Sequence, residues 1–445
     1  MKRPTAQFWI AVAMTMSVTA FATTALPAQQ SSALRDSLHL ADLQSAALHA
    51  DPRARQLGLL ASQSALRQQD ISATRLPSLD VNALGQYQSE VVTIPLTLPN
   101  GLSVPVPSHD VYDAHVAAQE ALYDPSLSAK RGVERAQLAA AQAGVRSTLF
   151  TLRQDVNNAY FSVLMEQAQR AEEDAAIQDL EAQRAVAASR LKQGTALPSE
   201  AEMLEAEVLR RRQAVAELDA SRDAELQVLS DLTGRTITSA DALAVPDLGA
   251  DVARVRAASD ALHARPEYKQ FDRNRDVLAE QQASLSAADL PKVSAFGRGG
   301  YGRPGLNPLA QDFSGYWLAG VQVDWAPWNW GTTRRDREAL TIQRQIIESD
   351  EAAFEQSVRR GVALQLASVD RLQASLAEDD AIVALRERIL TETRFRFGEG
   401  VITSADYVNR ETDVLTARLA RVTHTVQLAQ ARAQFLTSLG IEVQE

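Results

Sequence analysis

Three long stretches of this chain contain no proline, and they limit what it can fold into. They cover residues 126–197, 199–245 and 328–445. Proline inside a helix costs about 3 kcal/mol, because it removes a hydrogen bond and its ring clashes with the preceding turn. The same stretches are rich in Ala, Leu, Glu, Gln and Arg, which favour helices. The sequence therefore predicts helices too long for one small globule to bury.

Apolar residues in these stretches repeat with the seven-residue spacing of a coiled coil. We predict two long helices, each ended by a glycine and followed by a returning helix. The long helices cover 131–193 and 331–396, and the returning helices cover 199–233 and 403–437. Each long helix would extend on the order of 90 Å. Shorter helical stretches are predicted at 36–74 and 250–288.

Short landmarks occur twice in the chain, in the same order. The first pair is "ALHADP" at 47–52 and "ALHARP" at 261–266. Three further pairs are Leu76-Pro77 with Leu290-Pro291, Tyr123-Asp124-Pro125 with Trp325-Ala326-Pro327, and 190–194 with 394–398. The preserved order indicates a duplicated unit of roughly 200 residues. We predict a first repeat at 29–246, which carries an insertion, and a second repeat at 247–445.

The N-terminus has the layout of a secretory signal peptide. Lys2 and Arg3 precede an apolar run at 8–16, and small residues follow it. This order predicts a signal over 1–28, cleaved after Ala22 or Ala28. The chain has no cysteine, so neither disulfides nor thiolate chemistry are expected. Its net charge of −11 argues against nucleic acid as a partner.

Four short segments alternate between apolar and polar residues, which is the period of half-buried strands. They cover 79–87, 112–119, 293–301 and 317–325. Small, β-branched and aromatic apolar residues are typical of lipid-facing barrel strands. The alternative is the edge of a soluble sandwich, but no further strands are predicted to complete one. Since four strands cannot close a barrel and a sheet in lipid cannot leave open edges, several copies would share eight, twelve or sixteen strands.

Catalytic and metal-binding patterns are weak. Residues 300–305 spell G-x-G-x-x-G, but Asn307-Pro308 follows where a dinucleotide site needs a helix. The six histidines have no metal-ligand spacing, and no nucleophile and base can be paired. We therefore expect no enzyme activity, no cofactor and no metal site.

Taken together, the ordered landmarks resemble those of the TolC-type outer-membrane efflux proteins, or outer-membrane factors, over nearly the whole chain after the signal. Asp51 stands where the family usually has asparagine. The resemblance implies a mixed α and β fold, in which a duplicated unit gives a long α-helical coiled-coil barrel. Four strands from each copy would enter a shared twelve-stranded transmembrane β-barrel of a homotrimer. An equatorial domain would form from the termini and the linker near 235–255.

The resemblance also implies a function. Such a trimer would lie in outer-membrane lipid and act as the exit duct of a tripartite efflux or type I secretion system, with a periplasmic adaptor and an inner-membrane pump as partners. The main alternative is that the chain is itself a periplasmic adaptor, which should have one helical hairpin between compact β-domains. A filament-forming coiled coil is the third possibility, which the prolines and strands disfavour.

Family members often place a gate at the periplasmic end, with an aspartate six residues after the tip glycine. The matching positions here are Glu200 and Ser404, and carboxylates follow two residues later at Glu202 and Asp406. A tyrosine and an arginine that lock some members are replaced by Phe395 and Gly400. The alternative is that Glu200 and Glu202 only favour the first turn of a helix.

The resemblance also assigns the hairpin tips to adaptor docking. The tip residues are Arg190, Gly194, Arg394, Gly398 and Gly400. Gly194 and Gly398 are expected to let the chain turn closely at these tips. The alternative is that these glycines only end helices.

We also expect residues 91–110, which hold four prolines, to form a loop outside the cell rather than a periplasmic one.

Overall fold

The computed structural model describes residues 37–93, 106–256 and 264–442. The predicted signal peptide, most of the predicted external loop and part of the second "ALHARP" landmark lie outside the described residues. Within the described ranges, no helix is both long and apolar enough to cross a membrane.

Nine helices occur in the described residues, and their order supports the predicted duplication. In each half, shorter helices precede two strands, and a long helical segment and a returning helix follow them. The helices are α1 (Leu40–Ala50), α2 (Gln56–Ala73), α3 (Ser126–Phe150), α4 (Leu152–Lys192), α5 (Pro198–Thr233), α6 (Gly249–Arg256), α7 (Pro266–Ala288), α8 (Thr332–Gly398) and α9 (Ser404–Ser438).

Two predicted helices are broken in the structure. The stretch predicted at 36–74 is divided by a 3₁₀ turn at Pro52–Arg55. Asp51 has extended backbone, as expected before proline, and its carboxylate accepts a hydrogen bond from the backbone N–H of Arg53 at 2.7 Å. The aspartate that replaces the family's usual asparagine therefore caps the turn.

The first long helix starts at Ser126 and is interrupted at Thr151, whereas we predicted one helix over 131–193. The backbone N–H and the hydroxyl of Thr151 both donate to the carbonyl of Thr148, at 3.3 and 2.8 Å. These hydrogen bonds span three residues instead of the four of an α-helix. Threonine hydroxyls that donate to a carbonyl of the preceding turn also bend helices. The long helix of the second repeat is continuous over Thr332–Gly398.

The four predicted strands are confirmed and form one antiparallel sheet in the order β1-β2-β3-β4. The central β2–β3 pair joins the two repeats. One row across the sheet, Val81–Val116–Gly299–Trp317, is mainly apolar, and the next row, Asn82–His115–Gly300–Tyr316, is more polar. The strands are β1 (Ser78–Tyr87), β2 (Asp110–Tyr123), β3 (Lys292–Arg303) and β4 (Ser314–Asp324).

The largest core lies where both ends of the described chain meet the linker between the repeats. Leu40 and Leu43 of α1 pack there with Leu243 of the linker and Leu436 of α9. The hydroxyl of Tyr160 lies 2.9 Å from the carbonyl oxygen of Leu38 and 2.6 Å from that of Ala244. The N-terminal segment and the linker are thus fastened to the middle of the helical bundle, where the resemblance implied an equatorial domain.

Candidate functional site: the hairpin ends and a buried charge cluster

Both helical hairpins end in the same type of turn. Gly194 has φ of 73° and Gly400 has φ of 74°, in the left-handed region that favours glycine. The N–H of Thr195 donates to the carbonyl of Arg190, and that of Val401 to the carbonyl of Arg396, each at 2.9 Å. These six-residue closures are the Schellman turns that commonly end helices.

The prediction that Gly398 forms the second turn is wrong. Gly398 is the last residue of α8, and the left-handed residue is Gly400, two positions later. The R-x-x-x-G spacing correctly marks the end of α8 at Gly398, but the chain reverses direction at Gly400. The tip glycines of the two repeats are therefore Gly194 and Gly400.

Because the second tip glycine is Gly400 rather than Gly398, the gate segments of the two repeats align differently from the prediction. Because α5 starts at Pro198 and α9 at Ser404, Glu200 and Asp406 are each the third residue of their helix. Asp406 forms a capping box, in which its backbone N–H donates to the Thr403 hydroxyl and its carboxylate accepts from the Thr403 N–H, both at 3.2 Å. Hydrogen bonds from the Thr403 hydroxyl and then its N–H keep the pKa of Asp406 below its usual value. Asp406 therefore caps the start of α9.

The other predicted gate residues lie in different surroundings. Glu200 Oε2 lies 3.9 Å from Arg190 Nη1. Glu202 and Phe395 are exposed, whereas Ser404 is buried, with its hydroxyl 3.8 Å from the sulfur of Met203. Their role in a gate stays a prediction.

Arg190 joins the two hairpin tips. Its Nη1 donates to the carbonyl of Phe397 at 2.9 Å, and its guanidinium lies 5.7 Å from the centre of the Phe397 ring. Phe397 is fully buried and stacks on Tyr407 at a centroid distance of 5.3 Å. The first hairpin therefore holds both the end of α8 and the start of α9.

A second contact between the hairpins lies deeper in the bundle. Asp179 of α4 accepts hydrogen bonds from the guanidinium of Arg394 on α8 and from the hydroxyl of Tyr407 on α9. Tyr407 is fully buried. Burial, and then the Asp179 carboxylate, raise the pKa of Tyr407, so its hydroxyl stays protonated and can donate. One carboxylate thus ties three helices together near their tips.

Further along the hairpins, one buried arginine lies among three carboxylates. Arg211 of α5 has its Nε 2.8 Å from Glu207 of the same helix. Its Nη1 lies 3.5 Å from Glu173 of α4, and its Nη2 lies 3.5 Å from Glu411 of α9. Arg211, Glu173 and Glu411 are all buried. We call these four residues the Arg211 cluster.

Burial raises the pKa of Glu411 to about 7, although Arg211 acts in the opposite direction. The carboxylates of Glu207, Asp179 and Glu173 add to the rise. One oxygen of Glu411, Oε2, is buried without a hydrogen-bond partner among the described residues. Glu411 therefore binds its proton much more tightly in the folded protein than in the unfolded chain.

This raised pKa gives a prediction for the pH dependence of stability. The folded state holds a proton on Glu411 that the unfolded chain releases near its ordinary value of 4.5. Stability from this group is thus fully present below about pH 4.5 and is lost as the pH rises to about 7. The expected loss is on the order of 3 kcal/mol. In Glu411→Gln, the melting temperature measured in detergent should depend much less on pH across this range. An exposed control, Glu378→Gln, should keep the wild-type slope, and a wild-type slope in Glu411→Gln would contradict the prediction.

The reassigned tip glycine gives a second prediction. Gly400→Ala should lower stability by about 1–2 kcal/mol, because its left-handed backbone disfavours a side chain. A Cβ there would also lie 2.5 Å from Arg190 Nη2. Gly398→Ala should raise stability by about 0.5–1 kcal/mol, since its position is helical and has open space. Thermal unfolding followed by circular dichroism measures both, and equal effects would contradict the assignment.

The sequence analysis missed Asp179, Tyr407 and Arg211. Asp179 and Arg394 are 215 positions apart, so no local spacing connects them. The sequence did carry one indication of these residues, because a charged residue within an apolar helical face needs a partner of opposite charge or a hydrogen-bond partner. That indication does not tell which partner is used.

Comparison with known proteins finds a family match in the second half of the chain. Residues 257–441, most of the second repeat, match the family described as outer membrane efflux protein. This part of the chain is therefore similar to outer-membrane efflux proteins. The description of the matched family names efflux proteins of the outer membrane. A comparison with curated proteins gives no match.

Solved outer-membrane channels have the same fold as this chain. CusC is 17% identical with a TM-score of 0.65, and the match covers 90% of this chain and 92% of CusC. VceC of Vibrio cholerae is 16% identical with a TM-score of 0.62, covering 91% and 97% of the two chains. The open state of MtrE from Neisseria gonorrhoeae is 18% identical with a TM-score of 0.63, covering 91% and 89%. The duplicated α and β unit is thus confirmed at the level of the whole chain.

Proposed function

We propose that three copies of this chain form a channel across the outer membrane and a helical tunnel in the periplasm. The channel would be the exit duct of a tripartite efflux or type I secretion system, with a periplasmic adaptor and an inner-membrane pump. The observation that carries this proposal is the four-stranded sheet, in which β1 and β4 are open edges. Open edges cannot remain in lipid, so β4 of one copy would pair with β1 of the next. Twelve strands follow from three copies, the number that the family resemblance implies.

The helical part supports an assembly of several copies. Along α8, six large apolar side chains are more than two-fifths exposed among the described residues. A stable protein rarely leaves so long an apolar stripe in water, and a neighbouring copy would cover it. These residues are Ile342, Ile346, Leu364, Ile382, Leu385 and Ile389.

The hairpin ends are the proposed docking and gating region. Arg190, Gly194, Arg394 and Gly400 lie at or near the tips, and the Asp179 contact holds the second hairpin against the first. In a trimer, Glu200, Glu202 and Asp406 would each occur three times around the narrow end. Repeated carboxylates of this kind favour cations. The single four-stranded sheet and the two hairpins argue against the adaptor alternative, which needs compact β-domains beside one hairpin.

Cross-linking between edge strands tests the assembly. Because the chain has no cysteine, only the introduced cysteines can react. Ala83→Cys in β1 combined with Ala319→Cys in β4 should give, with a flexible bismaleimide in intact outer membranes, a ladder that ends at three copies. Cysteines at Ala118 and Ala295, on the paired strands β2 and β3, are the control and should link only within one copy. A ladder that ends at two or four copies, or no ladder, would contradict the proposed barrel.

A further inference from the structure

The segment between β4 and α8 exposes three tryptophans within six residues. Trp325, Trp328 and Trp330 are 60%, 72% and 80% exposed. Trp328 and Trp330 contact each other edge to face, with ring centroids 5.8 Å apart. Trp325 donates from Nε1 to the carbonyl of Asp289 at 3.2 Å, which fixes its ring while leaving most of it uncovered. Large apolar rings left in this state need a partner surface.

The backbone holds one of these rings in an unfavourable conformation. Trp330 has φ of 55°, the only non-glycine residue with positive φ in the described part of the chain. For a bulky residue this region of backbone conformation is unfavourable. The carbonyl of Trp330 accepts a hydrogen bond from Arg335 Nη1 at 3.1 Å, which helps to hold the turn. The strain cannot serve core packing, because the ring is the most exposed of the three.

Basic side chains follow directly in the first turns of α8. Arg337 forms an ion pair with Asp289, with 3.3 Å between Nη2 and Oδ2. Arg334 and Arg335 are exposed, and neither has a carboxylate partner within 4 Å among the residues that the structure describes. Two guanidinium groups without acidic partners therefore lie beside the tryptophans.

The position of this surface points to its occupant. Trp325 continues the apolar face of β4 that carries Trp317, Val321 and Val323, which are all more than three-fifths exposed. The apolar face ends at the tryptophans and the charged helix begins there, which matches the change from acyl chains to headgroups. Tryptophan prefers this depth in a membrane, and arginine binds phosphate oxygens in a bidentate manner.

We propose that Trp328, Trp330, Arg334 and Arg335 form a binding surface for the phosphate headgroup of an anionic glycerophospholipid in the leaflet that faces the periplasm. The inference rests on the proposed barrel, because that barrel places β4 in lipid. The indole rings lie against the glycerol and upper acyl region, and the guanidinium groups contact the phosphate.

Intrinsic fluorescence can test this surface directly. The chain has five tryptophans, and apart from Trp9 in the predicted signal all lie in β4 or this segment. The protein is reconstituted in phosphatidylcholine vesicles that contain either brominated phosphatidylglycerol or brominated phosphatidylcholine at equal bromine content. Quenching by the brominated phosphatidylglycerol should be about twofold greater, as expected when two basic groups attract an anionic lipid.

Matched variants distinguish the effect of the two arginines on quenching from the effect of membrane insertion in general. Arg334→Gln with Arg335→Gln should remove the difference between the two lipids while the oligomer stays intact. Arg360→Gln with Arg371→Gln, two exposed arginines further along α8, should keep it. Equal quenching by both lipids in the wild type would overturn the inference and leave the barrel standing. Absence of quenching by either lipid would contradict the barrel as well.

The alternative occupant of these rings is a neighbouring copy, and one further variant tests for it. Trp328→Phe with Trp330→Phe should remove most of the preference for brominated phosphatidylglycerol. If the preference is unchanged in this variant, these two rings do not face lipid and the inference is overturned.

Discussion

The variant Arg211→Leu is expected to lose about 3–5 kcal/mol of stability, the largest effect of any single substitution considered. Removal of the guanidinium leaves the carboxylates of Glu173, Glu207 and Glu411 close together without their central cation. Buried charges without a partner are costly, so the contact among α4, α5 and α9 should weaken. Thermal unfolding in detergent, followed by circular dichroism at pH 8, measures the loss.

The adjacent residue supplies a matched control. Arg212 forms an exposed ion pair with Glu181 at 2.5 Å, and Arg212→Leu should cost no more than about 1 kcal/mol. Adding Glu411→Gln to Arg211→Leu should recover part of the lost stability, because it removes one of the buried negative charges. Equal losses in the two single variants would show that the Arg211 cluster does not stabilise the hairpins.

The variant Asp179→Ala should open the periplasmic end of the proposed tunnel. Asp179 is the shared acceptor for Arg394 and Tyr407, so its loss frees the second hairpin from α4 at two points. The expected result is a several-fold larger unitary conductance in planar bilayers, with little change in the fraction of protein that forms oligomers. Tyr407 keeps its stacking on Phe397, which should preserve the local fold.

Glu181→Ala is the control for this substitution, because Glu181 lies on the same helix and makes only a surface ion pair. Its conductance should equal that of the wild type. If Asp179→Ala also conducts like the wild type, the contact among α4, α8 and α9 does not restrict the duct.

Much of the fold could be predicted from local patterns. The absence of proline after Pro327 correctly predicted the long helix and returning helix of the second repeat. Period-two alternation located all four strands, although β2 is longer than the predicted 112–119. These features were predictable because helix and strand periods act on neighbouring residues.

Features that depend on competing local interactions were harder to predict. Thr151 belongs to a strongly helical stretch, yet its bonds to Thr148 interrupt the helix. Gly398 and Gly400 are two residues apart, and only the backbone geometry shows which of them turns the chain. The carboxylates of Glu200 and Asp406 then correspond to each other directly, which the sequence offset had obscured.

The contacts that join distant helices could not be predicted from one sequence. Arg211 and Glu411 come from different repeats, and their meeting depends on how the hairpins pack. The role of the predicted gate and docking residues depends in addition on neighbouring copies and partners. Those assignments therefore stay proposals, with the docking tips now placed at Gly194 and Gly400.

Single-channel recording of the purified wild-type oligomer in a planar bilayer tests the proposed exit duct most directly. The proposal predicts discrete current steps that favour cations, and block when multivalent cations are added on the side of the hairpin tips. Insertion can be verified independently by the quenching of tryptophan fluorescence by brominated lipid. An oligomer that inserts but carries no current, both as wild type and as Asp179→Ala, would contradict the claim that this protein is a duct.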